Sequence, residues 1–261
     1  MVAATAVLGG CGLVPDKLKP GTAVTLTAQT ADGGRPTSET MQTAQRIIEK
    51  RAKGLGLDGT SVEVQGNALV ITVPGDDGSR AKALARTAHL TIRPVLTAST
   101  PARSGVTVAK EVRQSNDPSV QASTMASIAC THPDPLHGGD DPRLPLVTCD
   151  SEGKEVFVLS KSSVDGGGIE KAEAVLDSAS AQHMVLINFT PEAAELMRRL
   201  TTEYLYQRIA ISLDSEVLSA PVVQAMITGN QIQISGRFTE DSAAQLANAL
   251  RFGALPVSFT S

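Results

Sequence analysis

Cys130, His132, His137 and Cys149 place four metal-ligating side chains in one short stretch, and their chemistry can run in two directions. As two thiolates and two imidazoles they make up the donor set of a tetrahedral zinc site. As two thiols flanking residues 131–148 they close a disulfide in an oxidising compartment, a closure that stabilises by very roughly 3 kcal/mol. The spacing Cys-x-His-x4-His matches no familiar zinc finger, and oxidation competes with thiolate ligation outside the cytoplasm. Asp214 and Glu216 are a second pair, two carboxylates suited by type to acid–base work. Between Leu213 and Val217, however, Asp214 reads as a turn residue that bonds its own backbone. Gly166-Gly167-Gly168 ahead of Ile169-Glu170 can cradle an anion at a helix start, but the lysine and hydroxyl of a phosphate loop do not follow, so the glycines read as a hinge or cap. Asp76-Asp77-Gly78 is too short for a calcium-binding EF-hand loop. The sequence holds no Gly-x-Ser-x-Gly elbow and no His-Glu-x-x-His, while His89 and His183 sit at the starts of strands. The expectation is a non-enzymatic protein with no cofactor and no metal.

The elements that carry these residues can be read from periodicity. Thr190-Pro191-Glu192 caps a helix running through Leu196, Met197, Leu200 and Tyr204. Ile209 to Pro221 alternates apolar and polar residues around an Asp214-Ser215 turn, and Gly229-Asn230 bends the chain into Gln231 to Gly236, where Ile232 and Ile234 share a face. Thr239 caps a last helix with Ala243, Leu246, Ala247 and Leu250 at helical spacing, and Gly253 stops it. Nearer the start, the pattern predicts a strand at Val24–Ala28, a helix with Met41, Ala44, Ile47, Ile48 and Ala52, and a hairpin around Gly66-Asn67. A helix over Ser79–Ala88 and a strand over His89–Val95 complete a strand-helix-strand-strand-helix-strand order, the ferredoxin-like pattern. Residues 98–146 lack a sustained period and read as an inserted linker with short ordered pieces at Val106–Val112 or Val120–Ile128. Beyond it the pattern predicts a strand over Lys154–Leu159, a short helix from Gly166 through Leu176 and a strand over Met184–Phe189.

Composition narrows the function further. The chain has 261 residues, 41% of them hydrophobic, enough for one large domain or two small ones. No stretch supplies the roughly 18 consecutive apolar residues of a spanning helix. A net charge of −4 without a basic cluster, together with 3% aromatics and no tryptophan, argues against a nucleic-acid partner. Leu8-Gly9-Gly10-Cys11 resembles a lipobox behind a short apolar leader that lacks the positive n-region. Cys11 is therefore expected to carry lipid on the outer face of the bacterial cytoplasmic membrane, with residues 1–20 as signal remnant and tether. This anchor is the expected membrane contact.

Several runs carry a resemblance to a known family. Leu213-Asp214 through Ser219-Ala220-Pro221, Ile234-Ser235-Gly236-Arg237-Phe238-Thr239, and Leu250-Arg251-Phe252-Gly253-Ala254-Leu255-Pro256-Val257 resemble SecD, the accessory membrane subunit of bacterial protein export. Ile47-Ile48 through Arg51, Gly54-Leu55-Gly56, and Ile71 to Gly75 are similar to the start of its first extracytoplasmic domain. Pro20 and Ser215 stand where such sequences have glycine. The resemblance implies an α+β protein of two ferredoxin-like α/β sandwiches with antiparallel or mixed sheets joined by a long linker. A base would span 21–97, a linker with the Cys130–Cys149 loop 98–149, a head 150–238, and a helix and strand packing back 239–261.

In function, the resemblance implies a head that holds an emerging unfolded chain and swings on the base, here as a stand-alone form without a proton-driven membrane part. Its partners would be unfolded polypeptide and components of the Sec translocon or another envelope complex. The strand edges at Ile209, Ile211 and Leu213, and at Ile232 and Ile234, are candidates to take an extended segment by strand addition. Asp150 and Phe238-Thr239 are the candidate hinge. The alternative is a non-catalytic envelope lipoprotein that docks as a structural module on another membrane complex.

Overall fold

The computed structural model describes residues 21–131, 134–178 and 180–260. In chain order its elements are β1 (Ala23–Gln29), α1 (Ser38–Gly54), β2 (Ser61–Gln65), β3 (Ala68–Thr72), α2 (Ser79–Leu84), β4 (Leu90–Ser99), α3 (Lys110–Arg113) and α4 (Pro118–Ser127). There follow β5 (Leu146–Cys149), β6 (Val156–Leu159), β7 (Val164–Asp165), β8 (Ile169–Asp177), β9 (Gln182–Phe189), α5 (Pro191–Glu203), β10 (Ile209–Leu213), β11 (Glu216–Ser219), β12 (Gln231–Phe238), α6 (Glu240–Phe252) and β13 (Ser258–Thr260). The class is α+β with antiparallel sheets, as expected, but the strands divide over three sheets.

The first sheet has the order β13-β1-β3-β2. β1 alternates exposed and buried residues, so Val24, Leu26 and Ala28 point into a core shared with Met41, Ala44 and Ile48 of α1. Thr37 starts that helix by accepting the Thr40 N–H at 3.2 Å. The backbone at Gly21 lies so close to β3's exit that a Cβ there would fall 1.9 Å from the Val73 carbonyl oxygen. This is a ferredoxin-like order in which the fourth place is taken by β13, not by the strand after α2. The reason lies in β4: Leu90 to Pro94 are all buried, and a strand buried on both faces cannot serve at the edge of a sheet with one solvent face. The helix expected to reach Ala88 stops at Leu84, and Ala88 turns the chain with φ +58°.

β4 instead runs through the middle of a second sheet, β11-β10-β4-β6-β5, with β7 alongside β4. This sheet curls until its two ends meet. Asp150 after β5 bridges Val217 of β11, and the Ser151 N–H donates to the Val217 carbonyl at 2.9 Å. Phe157, Leu159, Ala210 and Val217 form a cluster of their own in this sheet. The third sheet, β12-β9-β8, shares one large core with α5, α6 and the strands β4 and β10. Residues 169–176 are β8, not the helix that Glu170-Lys171-Ala172-Glu173-Ala174 suggests by propensity; pairing along all of β9 overrides the local preference.

The stretch read as a linker is folded. Asp117 caps α4 by accepting the Ser119 N–H at 2.8 Å, Pro118 fills its first position, and Val106 bridges Ile128. Cys130 and Cys149 are joined as a disulfide, with Cα atoms 5.7 Å apart, on a small core of Ile128, Val147, Val156 and Val158. The sulfurs bond each other, so they are not the thiolates that zinc would need. Cys11, the lipobox and His132 lie outside the described residues. Among the described residues no helix is long and apolar enough to cross a membrane.

Candidate functional site

Around the β10–β11 turn the structure gathers charges that the sequence leaves scattered. Arg93 on β4 is fully buried and donates through Nη2 to Asp140 at 2.6 Å, and through Nη1 to the carbonyls of Leu144 and Ser160. Its Nε reaches Thr91, whose hydroxyl meets that of Ser212 at 2.7 Å. Burial pulls the Arg93 guanidinium below its ordinary value, and the neighbouring Asp140 opposes that pull. Ser215 donates its hydroxyl to the other oxygen of Asp140 at 2.6 Å. Thr148 bonds the Ser215 carbonyl and reaches Asp134, which holds Arg113 of α3 in a two-pronged contact at 2.9 and 2.7 Å. This chain of contacts fastens α3 and residues 134–145 onto the curled sheet.

Asp214 and Ser215 both have positive φ, +52° and +73°, as a tight two-residue hairpin turn requires. Ser215 accepts that conformation where glycine would be free of strain, and its hydroxyl offsets the cost through Asp140 and through the Gly138 N–H. Asp214 accepts the His89 N–H at 2.9 Å. Glu216 accepts the Asp134 N–H at 2.7 Å. Asp134, Asp214, Glu216, Lys82, Arg86 and His137 line a cleft of about 440 Å³. The carboxylates there hold backbone groups and guanidinium. Among the described residues no cluster of His, Cys, Asp and Glu is disposed to hold a metal.

Burial pushes the Asp214 carboxyl above its ordinary 3.8, against the pull of the His89 N–H and Arg86. Between the unfolded value and the raised folded one, the folded protein binds the proton more tightly, so this group lowers stability as pH rises through that window. Asp214→Asn keeps the acceptor oxygen and suits a positive φ. The variant is expected to gain stability relative to the parent between pH 3.5 and pH 7 in urea unfolding. A difference that stays constant across that range would rule out the raised carboxyl.

The strand-edge candidates separate cleanly. β10 is paired on both sides, by β4 and β11, and all its residues are buried, so Ile209, Ile211 and Leu213 lie on no edge. The cause is that β11 folds back on β10 as a hairpin while β4 takes its other side. β12 is an outer strand: it pairs with β9 on one side, and among the described residues no strand pairs with the other. Ile232 and Ile234 point inward to the large core, while Gln231, Gln233, Ser235, Gly236 and Arg237 are exposed.

The hinge candidates fall elsewhere too. Asp150 sits in the turn of the β5–β6 hairpin, where its carboxylate accepts the Lys154 and Glu155 N–H groups, so both flanking strands belong to one sheet. Thr239 caps α6 in a reciprocal box with Ser242, and Phe238 rests on the same core as α6, so no change of unit occurs there. The triple glycine forms a single 3-10 turn capped by Asp165. Asp76 caps α2 by accepting the Gly78, Arg80 and Ala81 N–H groups. Gly54-Leu55-Gly56-Leu57-Asp58-Gly59 has the spacing of a dinucleotide loop but closes α1 and leads into β2, the reverse of the strand-to-helix turn that such a loop needs.

Beside the three antiparallel sheets and the curled strand array, comparison with known proteins points to a family. Residues 144–257 match the family described as SecDF, P1 head subdomain. Those residues carry a SecDF P1 head subdomain, and most of the chain is homologous to SecD. Protein translocase subunit SecD of Mycobacterium tuberculosis is 34% identical over 324 aligned positions, covering 93% of this chain and 56% of that protein. Protein translocase subunit SecDF of Thermus thermophilus is 28% identical over 232 positions, covering 87% of this chain and 28% of that protein. The crystal structure of SecDF in its super-membrane-facing form superposes with a TM-score of 0.63 at 25% identity, over 95% of this chain and 31% of that one. A second solved structure, of a membrane component SecDF that enhances protein export, shares the fold with a TM-score of 0.57 over 92% of this chain and 98% of that one. The chain thus spans about half the length of the SecD relative that it matches at 34% identity. These relatives are named as subunits of protein translocases.

Proposed function

We propose that this SecD-like chain acts in protein export by binding unfolded polypeptide on the extracytoplasmic side of the membrane, and that the open edge of β12 takes the polypeptide as an added strand. The observation that supports it is the ladder between β9 and β12. The Phe189 N–H donates to the Asn230 carbonyl at 2.7 Å, and the pairing continues with Ile232 opposite Ile187 and Ile234 opposite Val185. Alternation along an antiparallel pair then turns the backbone groups of Gln231, Gln233 and Ser235 away from β9. Recognition through main-chain hydrogen bonds does not depend on the sequence of the client, as an export factor with many substrates requires. Components of the translocon are the partners that the family suggests, and a lipid on Cys11 would hold the domain at the membrane.

The test is binding of the purified protein to a permanently unfolded polypeptide, with the same polypeptide folded as control. The parent should retain the unfolded form alone. Gln233→Pro removes one outward N–H and leaves the β9 ladder intact, because proline is tolerated on an edge; it should weaken binding about tenfold with an unchanged circular dichroism spectrum. A parent that binds neither form would favour the docking-module alternative, and a proline variant that binds as the parent does would move the site off β12.

A further inference from the structure

The unit built from β1–β3, α1, α2 and β13 is joined to the rest of the molecule by two stretches of chain. One leaves α2 and enters β4, and the other leaves α6 and leads to β13. They run side by side, and the Leu255 N–H donates to the Thr87 carbonyl at 2.8 Å. Beneath them lies Arg51, in the last turn of α1 and 1% exposed. Its Nη1 donates to the carbonyls of Leu84 at 2.9 Å and Arg86 at 2.5 Å, and its Nη2 donates to those of Gly253 at 2.6 Å and Thr87 at 3.4 Å. One side chain therefore binds both crossings.

The choice of residue is costly unless it has this task. Among the described residues no carboxylate is in ion-pair contact with Arg51, and its Nε has no partner. Burial lowers the guanidinium to about 10, so it remains charged near neutrality, with Asp214 the nearby charge that opposes the shift. An aliphatic residue would fill the same space without a buried charge to compensate. A lysine carries three donors on one nitrogen and cannot span four carbonyls, whereas the planar guanidinium presents five N–H groups in a fixed fork.

Neighbouring contacts converge on the same place. Asn248 of α6 donates to the Arg51 carbonyl at 2.8 Å, and a Cβ at Gly54 would lie 2.3 Å from Asn248 Oδ1, so the absence of a side chain there lets α1 meet α6. From the far side, Asp214 receives the His89 N–H and returns its own N–H to the His89 carbonyl at 3.0 Å. We infer that Arg51 is the pin of a two-stranded joint: by gripping the carbonyls of both crossings at once, it sets the angle between the β13-β1-β3-β2 unit and the remainder of the molecule. This role is independent of polypeptide binding at β12. Arg51 acts as a positioning residue, and motion between the two parts requires both crossings to be released together.

The test uses Arg51→Lys and Arg51→Met in the full chain, followed by nuclear magnetic resonance. In the parent, residual dipolar couplings from both parts should fit one alignment tensor; in each variant they should need two. The Leu255 amide should exchange at least tenfold faster in the variants, while Leu26, Ile71, Val185 and Ile234 stay within about twofold of the parent. A single tensor in Arg51→Lys, or an equal loss of protection at all of these amides, would overturn the inference and leave Arg51 as a core-filling residue. If Arg51→Met does not fold, the lysine variant carries the same two readouts.

Discussion

Arg93→Met is expected to lower the free energy of unfolding by about 3–5 kcal/mol, the range for removing one partner of a buried ion pair. The side chains of Arg93 and Asp140 are 0% and 2% exposed, so nothing from solvent can replace the lost donors. Methionine approximates the volume, which leaves the loss of charge as the main change. Asp140 would keep the Ser215 hydroxyl as its remaining side-chain donor, and the Leu144 and Ser160 carbonyls would lose theirs. Urea unfolding measures the effect. Adding Asp140→Asn to the same variant should recover most of the loss, because it removes the stranded charge. A loss under about 1 kcal/mol for Arg93→Met, or no recovery in the double variant, would show that the pair is not what fastens residues 134–145.

Phe157→Ala should cost a similar amount, about 3–5 kcal/mol, for a different reason. The ring is 1% exposed and packs with Leu159, Ala210 and Val217, all contributed by the curled sheet. Arg208 stacks on it with the guanidinium carbon 5.2 Å from the ring centre while holding Glu155 through two nitrogens at 2.9 and 2.8 Å. Truncation would empty a space that the surrounding strands cannot close, since both ends of the sheet are already pinned together at Asp150 and Val217. Leu196→Ala, at a position 44% exposed on α5, is the matched control and should stay within about 0.5 kcal/mol. A Phe157 variant as stable as that control would mean that the curl leaves the ring in a loosely packed place.

The elements with strong local signals were legible in the chain itself. Thr190 and Thr239 cap helices where expected, and the turns at Gly66-Asn67 and Asp214-Ser215 form hairpins. What remained hidden depends on partners far away in sequence. α4, which falls on the short ordered piece expected at Val120–Ile128, shows no apolar stripe that would mark it as a helix, so its order comes from its cap and from the disulfide-linked core. β8 looks helical until β9 is available to pair with it. Arg93 could have been noticed as a charge inside the apolar run Leu90 to Val95, but its partner Asp140 lies in a loop without periodicity. Arg51 stands among residues that read as a solvated helix end, and only the return of Gly253 reveals that this face is covered.

The β13–β1 pairing has a consequence for the order of assembly. Everything from β4 to α6 is threaded as one long excursion between the third strand of a four-stranded sheet and the strand that completes it. A chain that emerges from its amino end can finish the excursion while Leu26 and its neighbours still face an unfilled place at Thr27 to Gln29. Until Ser258 to Thr260 arrive, that sheet keeps a raw border on β1, so its closure has to wait for everything from β4 to α6 to emerge.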